Sequence, residues 1–523
     1  MSYSMRINLR PFALSLGIIS IGISPPVLSQ EPKLALEAFE KGNYFDALKI
    51  YEILVEKNPE VLDYQIKTGL IYLRTNIDPP QSLEYLLAAE NLGKMPADHL
   101  LDIATAYTYH LQYDRAMDYV RKFEENGKIN KKNIDYLARL KANFAAAQDL
   151  LLYPVAVSFE NLGPEVNSVY PDFHPFISKD EQLLIFTSRR KIKPGAKPEF
   201  DGYFPSDIFS AANNGIAFTN TTRLDNKVNT DFDEQCVGLT NSGDTLFFYV
   251  DNITTFGDIY ISKLQKGGYG LPIKLEPTIN SAAVESACSV SQDGSIMLFS
   301  SDRPGGQGNL DIWTIRKEPS TGQWGAPQNL GAEINTPLNE DFPTLSGDGQ
   351  TLYFCSEGHP GMGGYDLFFS AFDSLSRNWT SPQNIGYPVN TPANEKSISW
   401  NETGDIAYIT AFREDGYGDL DIYRIVYEDL NTVDPAVFLI NLITADGGNT
   451  LEKVQIQVKN QFEELIGQYY PNSITDRYMI ALYPGKYFLN IDVDGYAPYN
   501  EVIVVNDSHI RQDQNVKIIK LKK

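Results

Sequence analysis

Five carboxylates stand at matching places in the chain: Asp172, Glu234, Glu285, Glu340 and Glu395. Each lies five residues after an asparagine, namely Asn167, Asn229, Asn280, Asn335 and Asn390. Gathered round one opening, such acids would hold a cation or a basic peptide, and carboxylates among aromatic residues can carry out glycosidic chemistry. The competing reading is structural, with each acid accepting hydrogen bonds from backbone or from an asparagine of a neighbouring unit. Repetition in all five copies favours the structural role, because a ligand site usually breaks such symmetry. A second series, Asp207, Asp258, Asp311, Asp366 and Asp421, opens Asp-Ile/Leu-aromatic triplets. These are read as building the units by anchoring a glycine-rich loop, with Arg303 or Arg413 as the partner within the same unit.

The remaining chemistry-bearing residues form no catalytic pattern. His99, His110, His174, His359 and His509 are scattered, and there is no His-Glu-x-x-His, Gly-x-Ser-x-Gly or Cys-x-x-Cys. Gly305-Gly306-Gln307-Gly308 lacks the Lys-Ser/Thr of a phosphate cradle, and Gly416 to Asp421 lacks the spaced carboxylates of a strong calcium loop. The expectation is therefore of a protein that is not an enzyme, with no catalytic, cofactor-binding or metal-ligating residue. A glycan-active site in a central channel is the form of catalysis to weigh against it. Cys236, Cys288 and Cys355 all fall in predicted strands. Buried apolar roles are favoured over a Cys236–Cys288 disulfide.

The acids are positioned by a repeat of about 55 residues, clearest from Asn335 to Gln383. Each copy has a short apolar run, a turn such as Asp293-Gly294 or Asp348-Gly349, a second run, a loop, the Asp triplet and a closing run. The closing run begins near Trp324-Gly325-Ala326-Pro327 and Trp379-Thr380-Ser381-Pro382. Four short antiparallel strands cannot bury both faces alone, and radial stacking solves that, which predicts a β-propeller. Five copies predict five blades, with the strand near Tyr153-Pro154-Val155 completing the last; a sixth blade is the alternative. Ser-x-Asp-Gly at Ser291–Gly294 and Ser346–Gly349, and Leu298 to Arg303 followed by Gly305-Gly306, resemble the WD40-like PD40 repeats of TolB-type propellers. The first copy departs at Arg189-Arg190-Lys191 with an insertion before Asp207, and the second at Val250-Asp251.

Before the repeats, residues 30–151 show helical periodicity. Ala47, Ser82 and Ala116 are 35 and 34 residues apart. With Ala35, Gly69, Ala104, Tyr51 and Pro59, this segment resembles a tetratricopeptide array, which implies a concave face for a protein or peptide. Asn133 to Leu151 reads as a closing helix. After the repeats (152–430), residues 436–523 alternate as strands. Leu482-Tyr483-Pro484-Gly485-Lys486-Tyr487 and Asp494-Gly495-Tyr496 resemble the carboxypeptidase-regulatory-like fold, a prealbumin-type β-sandwich. The expected fold is thus all-α helical repeats, an all-β propeller and a small sandwich.

The formal net charge of −23 argues against nucleic acid or an anionic membrane as partner. Arg6 and Arg10, the apolar run Phe12 to Ile23 and Val27-Leu28-Ser29 predict a signal peptide over residues 1–29. The order of segments resembles periplasmic OmpA-family proteins associated with type IX secretion and gliding. Those carry a further OmpA-like domain that grips peptidoglycan; this chain ends at Lys523 without one, and peptidoglycan binding is not carried over. The resemblance implies a non-catalytic periplasmic scaffold associated with the outer membrane, with protein partners on the helical and propeller faces and no cofactor. A periplasmic glycan- or peptide-binding module, or a propeller enzyme acting on glycans, is the alternative.

Overall fold

The computed structural model describes residues 31–152, 154–251, 257–373, 377–427, 436–444, 454–460, 465–472, 475–483, 485–505 and 515–523. The expected signal peptide and the expected linker 431–435 lie outside the described residues.

Among the described residues seven α-helices come first: α1 (Glu31–Glu40), α2 (Tyr44–Lys57), α3 (Leu62–Arg74), α4 (Ser82–Asn91), α5 (His99–Thr108), α6 (Tyr113–Asn126) and α7 (Lys131–Leu152). They pack in consecutive pairs, α1 on α2, α3 on α4 and α5 on α6. The small residues explain the close approach. Ala35, Ala47, Ser82, Ala104 and Ala116 are all fully buried, and a Cβ on Gly69 would meet Leu86 Cγ at 2.7 Å. Gly42 turns the chain at φ +79, and Asn43 caps α2 by accepting from the Asp46 amide. Tyr51, Ile71 and Tyr72 fill one end of this core, and Ile103, Tyr107, Val120 and Phe123 the other.

Five antiparallel sheets follow. Sheet one comprises Asp172–Ile177, Leu183–Ser188, Asp207–Asn213 and Phe218–Arg223. Sheet two comprises Asp233–Leu239, Thr245–Asp251, Asp258–Gln265 and Ile273–Lys274, with Gly268–Tyr269 beside its third strand. Sheet three comprises Glu285–Val290, Ile296–Ser301, Asp311–Arg316 and Gln328–Asn329. Sheet four comprises Glu340–Leu345, Thr351–Ser356 and Asp366–Asp373, the last pairing with both Asn378–Trp379 and Gln383–Asn384. Sheet five comprises Ile398–Trp400, Ile406–Ala411, Asp421–Tyr427 and, outermost, Val157–Asn161. A strand from before the repeats thus completes the last sheet, pairing antiparallel from Val157↔Tyr427 to Asn161↔Tyr423. The first strand of sheet one packs against sheets two and five, as in a β-propeller. The expected closing strand near Trp324 is shifted: Trp324 makes only a bridge to Lys317, and the sheet continues at Gln328.

The described strands after residue 435 form two further sheets. Ala436–Thr444 lies between Arg477–Leu482 and Asn515–Leu521, and Leu465–Tyr469, Ile456–Lys459, Gly485–Ile491 and Tyr499–Val505 make the other. Phe438, Ile440, Tyr478 and Ile480 from the first share one buried cluster with Ile456, Val458, Leu489 and Ile503 from the second.

The helices are bonded to the repeats. Met362, from the glycine-rich loop of sheet four, is buried in the α5–α7 cluster. Around it, Asn143 accepts from the Gly361 amide and donates to the Gly363 carbonyl, while Arg139 donates to the Glu357 carbonyl. Asn76 donates to Asp419 at 3.0 Å in sheet five's loop. The insertion before Asp207 presents Tyr203 edge-on to Phe45, with ring centroids 4.7 Å apart.

Candidate functional site

The repeated acids occupy one kind of position, at the start of the innermost strand or, for Glu395, three residues before it. Asp172, Glu234, Glu285, Glu340 and Glu395 are all at most 1% exposed. Each carboxylate is held by the residue four positions earlier. Ser168, Thr230, Ser281, Thr336 and Thr391 donate to it from both backbone N–H and side-chain hydroxyl. Ser301 adds a hydroxyl to Glu285 at 2.7 Å and Ser356 one to Glu340 at 2.6 Å. Arg190 pairs with Asp172, and Arg303 with Glu285 at 3.0 Å. The backbone N–H of each acid donates to the preceding sheet, at Leu420, Ser206, Gly257, Leu310 and Tyr365.

The asparagines do the bridging between sheets. Asn167, Asn229, Asn280, Asn335 and Asn390 each accept from the N–H and donate to the C=O of one residue in the preceding sheet. Those residues are Ile422, Ile208, Ile259, Ile312 and Leu367, at 2.7–3.0 Å. A side-chain amide thus copies one rung of a β-ladder where two sheets meet, and satisfies backbone groups that would otherwise be buried unpaired.

The second series sits one residue before each of those rungs. Asp311 accepts from the Gln307 and Gly308 amides and from Asn329, and Asp366 from the Met362 and Gly363 amides. Asp421 accepts from the Tyr417 amide and from Asn161. These three anchor glycine-rich loops through backbone N–H groups. The expected arginine partner is not used: Arg303 goes to Glu285, and the Arg413 guanidinium lies 3.7 Å from the centroid of the Phe159 ring. In the two divergent copies a cation takes the role, Arg223 to Asp207 at 2.6 Å and Lys274 to Asp258 at 2.7 Å.

Burial sets the electrostatics. It raises Asp172, opposed by Arg190, and pushes Glu234 and Glu340 up to about 7. Glu395 is driven well above its ordinary value by burial and then by Asp366, itself raised by burial to about 7. Among the described residues no two of the five ring acids share a hydrogen-bond partner. Each is occupied by its own joint, so the candidate ring is not assembled into one ligand cage. Among the described residues no cluster of three or more His, Cys, Asp or Glu is placed to hold a metal. Cys236, Cys288 and Cys355 are buried free thiols.

The residues that break the pattern are the acids' immediate neighbours: Phe173, Gln235, Ser286, Asp341 and Lys396. Sequence reading passed over them, although divergence at one register position of a repeat is itself a signal. The insertion Arg189–Asp207 is instead spent internally. Arg189 donates to Glu199, Asp201 and the Phe204 carbonyl, holding Tyr203 toward Phe45 and Asp419. The second divergent stretch, Val250–Phe256, lies from residue 252 onward outside the described residues.

No protein-family profile matches the chain, and no curated protein matches it. Solved structures do. TolB from Acinetobacter baumannii matches at 13% identity over 55% of this chain and 69% of its own, with a TM-score of 0.31. An alpha-L-arabinofuranosidase from Lactobacillus brevis matches at 14% identity over 50% of this chain and 92% of its own, TM-score 0.31. A prolyl endopeptidase matches at 9% identity over 72% of this chain and 50% of its own, TM-score 0.27. At these identities and scores no residue role passes to this chain. The expectation that the protein is not an enzyme is corrected here: the similar structures include an arabinofuranosidase and a prolyl endopeptidase. Among the described residues no helix is long and apolar enough to cross a membrane.

Proposed function

We propose that this chain is a periplasmic scaffold associated with the outer membrane, an accessory of a type IX secretion or gliding-like complex. In this reading residues 30–151 are tetratricopeptide-like repeats, 152–430 a five-bladed PD40-type propeller and 436–523 a carboxypeptidase-regulatory-like sandwich. One protein partner sits on the helices and a second on the propeller. The observation that carries the reading is the joint between the first two parts. Met362 buried among the helices, the Asn143 and Asn76 hydrogen bonds and the Phe45–Tyr203 contact hold two interaction modules in one relation. A rigid relation is what a scaffold needs, because it fixes the distance between two partners.

The test is crosslinking in intact cells followed by purification of the full chain from the envelope fraction. The reading expects one stoichiometric membrane-complex partner, with crosslinks mapping to both helices and propeller. Recovery of the chain without such a partner, or from the cytoplasmic fraction, overturns it.

A further inference from the structure

We propose that Lys396, Ser397 and His174, at the junction of sheets five and one near the axis, form a binding site for a single carboxylate group on a small ligand. The inference does not depend on the scaffold role, since it concerns a site whose residues belong to the repeats alone.

The five copies stop agreeing just past the repeated acid. One residue past the repeated acid the chain reads Phe173, Gln235, Ser286, Asp341 and Lys396; two past it, His174, Cys236, Ala287, Phe342 and Ser397. These positions sit where the innermost strands bulge, as the register shifts in sheets one to four show. His174 and Phe342 occupy the left-handed region, both at φ +50. For residues with a Cβ this costs on the order of 1 kcal/mol or more and persists only where surrounding structure imposes it. Their rings meet at 4.2 Å, although they come from sheets one and four, which are not consecutive. The first strands therefore converge at this level.

Three polar groups at this level lack a hydrogen-bond partner among the described residues. His174 is 8% exposed and its Nδ1 has no partner; Ser397 is 2% exposed and its Oγ has none. They are close. The His174 N–H donates to Thr410 Oγ1 at 3.0 Å, and the pairing of Ile398 with Ile409 places Ser397 beside Thr410. Lys396 is next in the chain. Its Nζ lies 4.6 Å from the centroid of the Tyr365 ring, and among the described residues it makes no hydrogen bond or ion pair. Burial, with Lys396 adding to it, keeps the His174 imidazole neutral, so its Nδ1 can carry a proton to donate.

An ammonium, a hydroxyl and an imidazole N–H form a donor set beside the Asp341 carboxylate, whose charged form Lys396 favours, and a ligand carboxylate supplies up to four acceptor sites. A ligand carboxylate would give His174 Nδ1 and Ser397 Oγ the acceptor that no protein group supplies. Asp341 narrows the choice. Its Oδ1 is held by Ser286 at 2.7 Å and by the Phe342 amide at 2.8 Å, so its carboxylate is fixed in place. A second negative charge is opposed there, which disfavours phosphate and favours a monoanion. Phe173, Gln235, Ser286 and Lys396 each keep partial exposure, so solvent reaches the site.

Two sources offer a lone carboxylate, an acidic sugar and a peptide C-terminus, and calorimetry on the full chain separates them. The probes are glucuronic acid against glucose, and trialanine as free acid against its C-terminal amide. The expectation is that at least one acid binds while its neutral counterpart does not. Lys396→Met should weaken that binding about tenfold, the loss of one charge-assisted hydrogen bond. Ser397→Ala should weaken it about threefold. The site is overturned if neither acid binds, if glucose or the amide binds as well as its acid, or if Lys396→Met binds like the unmodified chain. Should Lys396→Met fail to fold by circular dichroism, the acid-against-neutral comparison on the unmodified chain decides.

Discussion

Sheets one and three give their buried acid a guanidinium; sheet four gives its acid none. In the first two, Arg190 and Arg303 each do three things. They pair with Asp172 or Glu285, donate to the carbonyl before the bridging asparagine (Val166 or Ile279), and lie 4.6 Å from an aromatic ring centroid, Phe209 or Phe299. In sheet four the corresponding position is Gly358, where a Cβ would meet Thr336 Oγ1 at 1.9 Å. His359 reaches the equivalent carbonyl instead, with Nε2 2.8 Å from Ile334 O, and Glu340 keeps only hydroxyl and N–H donors. The same joint is therefore closed in two electrostatic states, one ionic and one in which the acid holds its proton near neutral pH. Burial demands compensation, and a counter-charge and a proton are alternative ways of meeting it.

The comparison breaks most visibly at the ionic joint. Arg303→Met leaves Glu285 buried without its cation, and should cost about 3–5 kcal/mol in urea unfolding at pH 7. Adding Glu285→Gln should recover part of that loss, because the uncompensated charge is gone. If Arg303→Met costs less than about 1 kcal/mol, the guanidinium is a surface ornament and the contrast with sheet four fails.

The proton-holding joint makes a prediction of opposite sign with pH. Glu340 is raised by burial to about 7 in the folded chain from an ordinary 4.5. The folded state therefore binds more protons than the unfolded one between those values. Its contribution is fully present below about 4.5 and is lost as pH rises through about 7, a change of about 3 kcal/mol. Glu340→Gln should remove that part of the decline, so that its stability falls less than the unmodified chain's between pH 5 and pH 8. Denaturant midpoints across that range measure it, and an unchanged decline would refute the assignment to Glu340.

The repeat made these joints legible as positions but not as bonds. Asn335, Glu340 and Asp366 could be found because their spacing recurs, and so could the small residues of the helices, since close packing constrains residue size locally. The division of labour among them could not. The asparagine side chain, and not the acid's carboxylate, spans the sheets; the carboxylate is held by Ser168, Thr230, Ser281, Thr336 and Thr391, which recur just as faithfully. Sequence proximity pairs Arg303 with Asp311, eight residues on, yet its partner is Glu285 at the start of the same sheet. Docking of Tyr203 on Phe45 joins residues far apart in the chain, and nothing local in either stretch records it. The separation of Lys396 from the repeated acids was visible, since it differs from its four counterparts, but which polar groups lack partners is a property of the folded chain alone.

The finest test converts one joint into the other. His359→Arg places a guanidinium where the imidazole already reaches the Ile334 carbonyl, beside rings of Phe354 and Phe368 that can accept it. In sheet three the same carbonyl contact and the acid are reached together by Arg303. An arginine at 359 should therefore bond Glu340 and favour its ionised form. The gain should be about 1 kcal/mol at pH 8, where the acid must otherwise lose its proton unaided, and smaller at pH 5, where it is already neutral. Paired denaturation curves at the two pH values read the difference. Equal changes at both would show that the two kinds of joint differ in packing and not in charge.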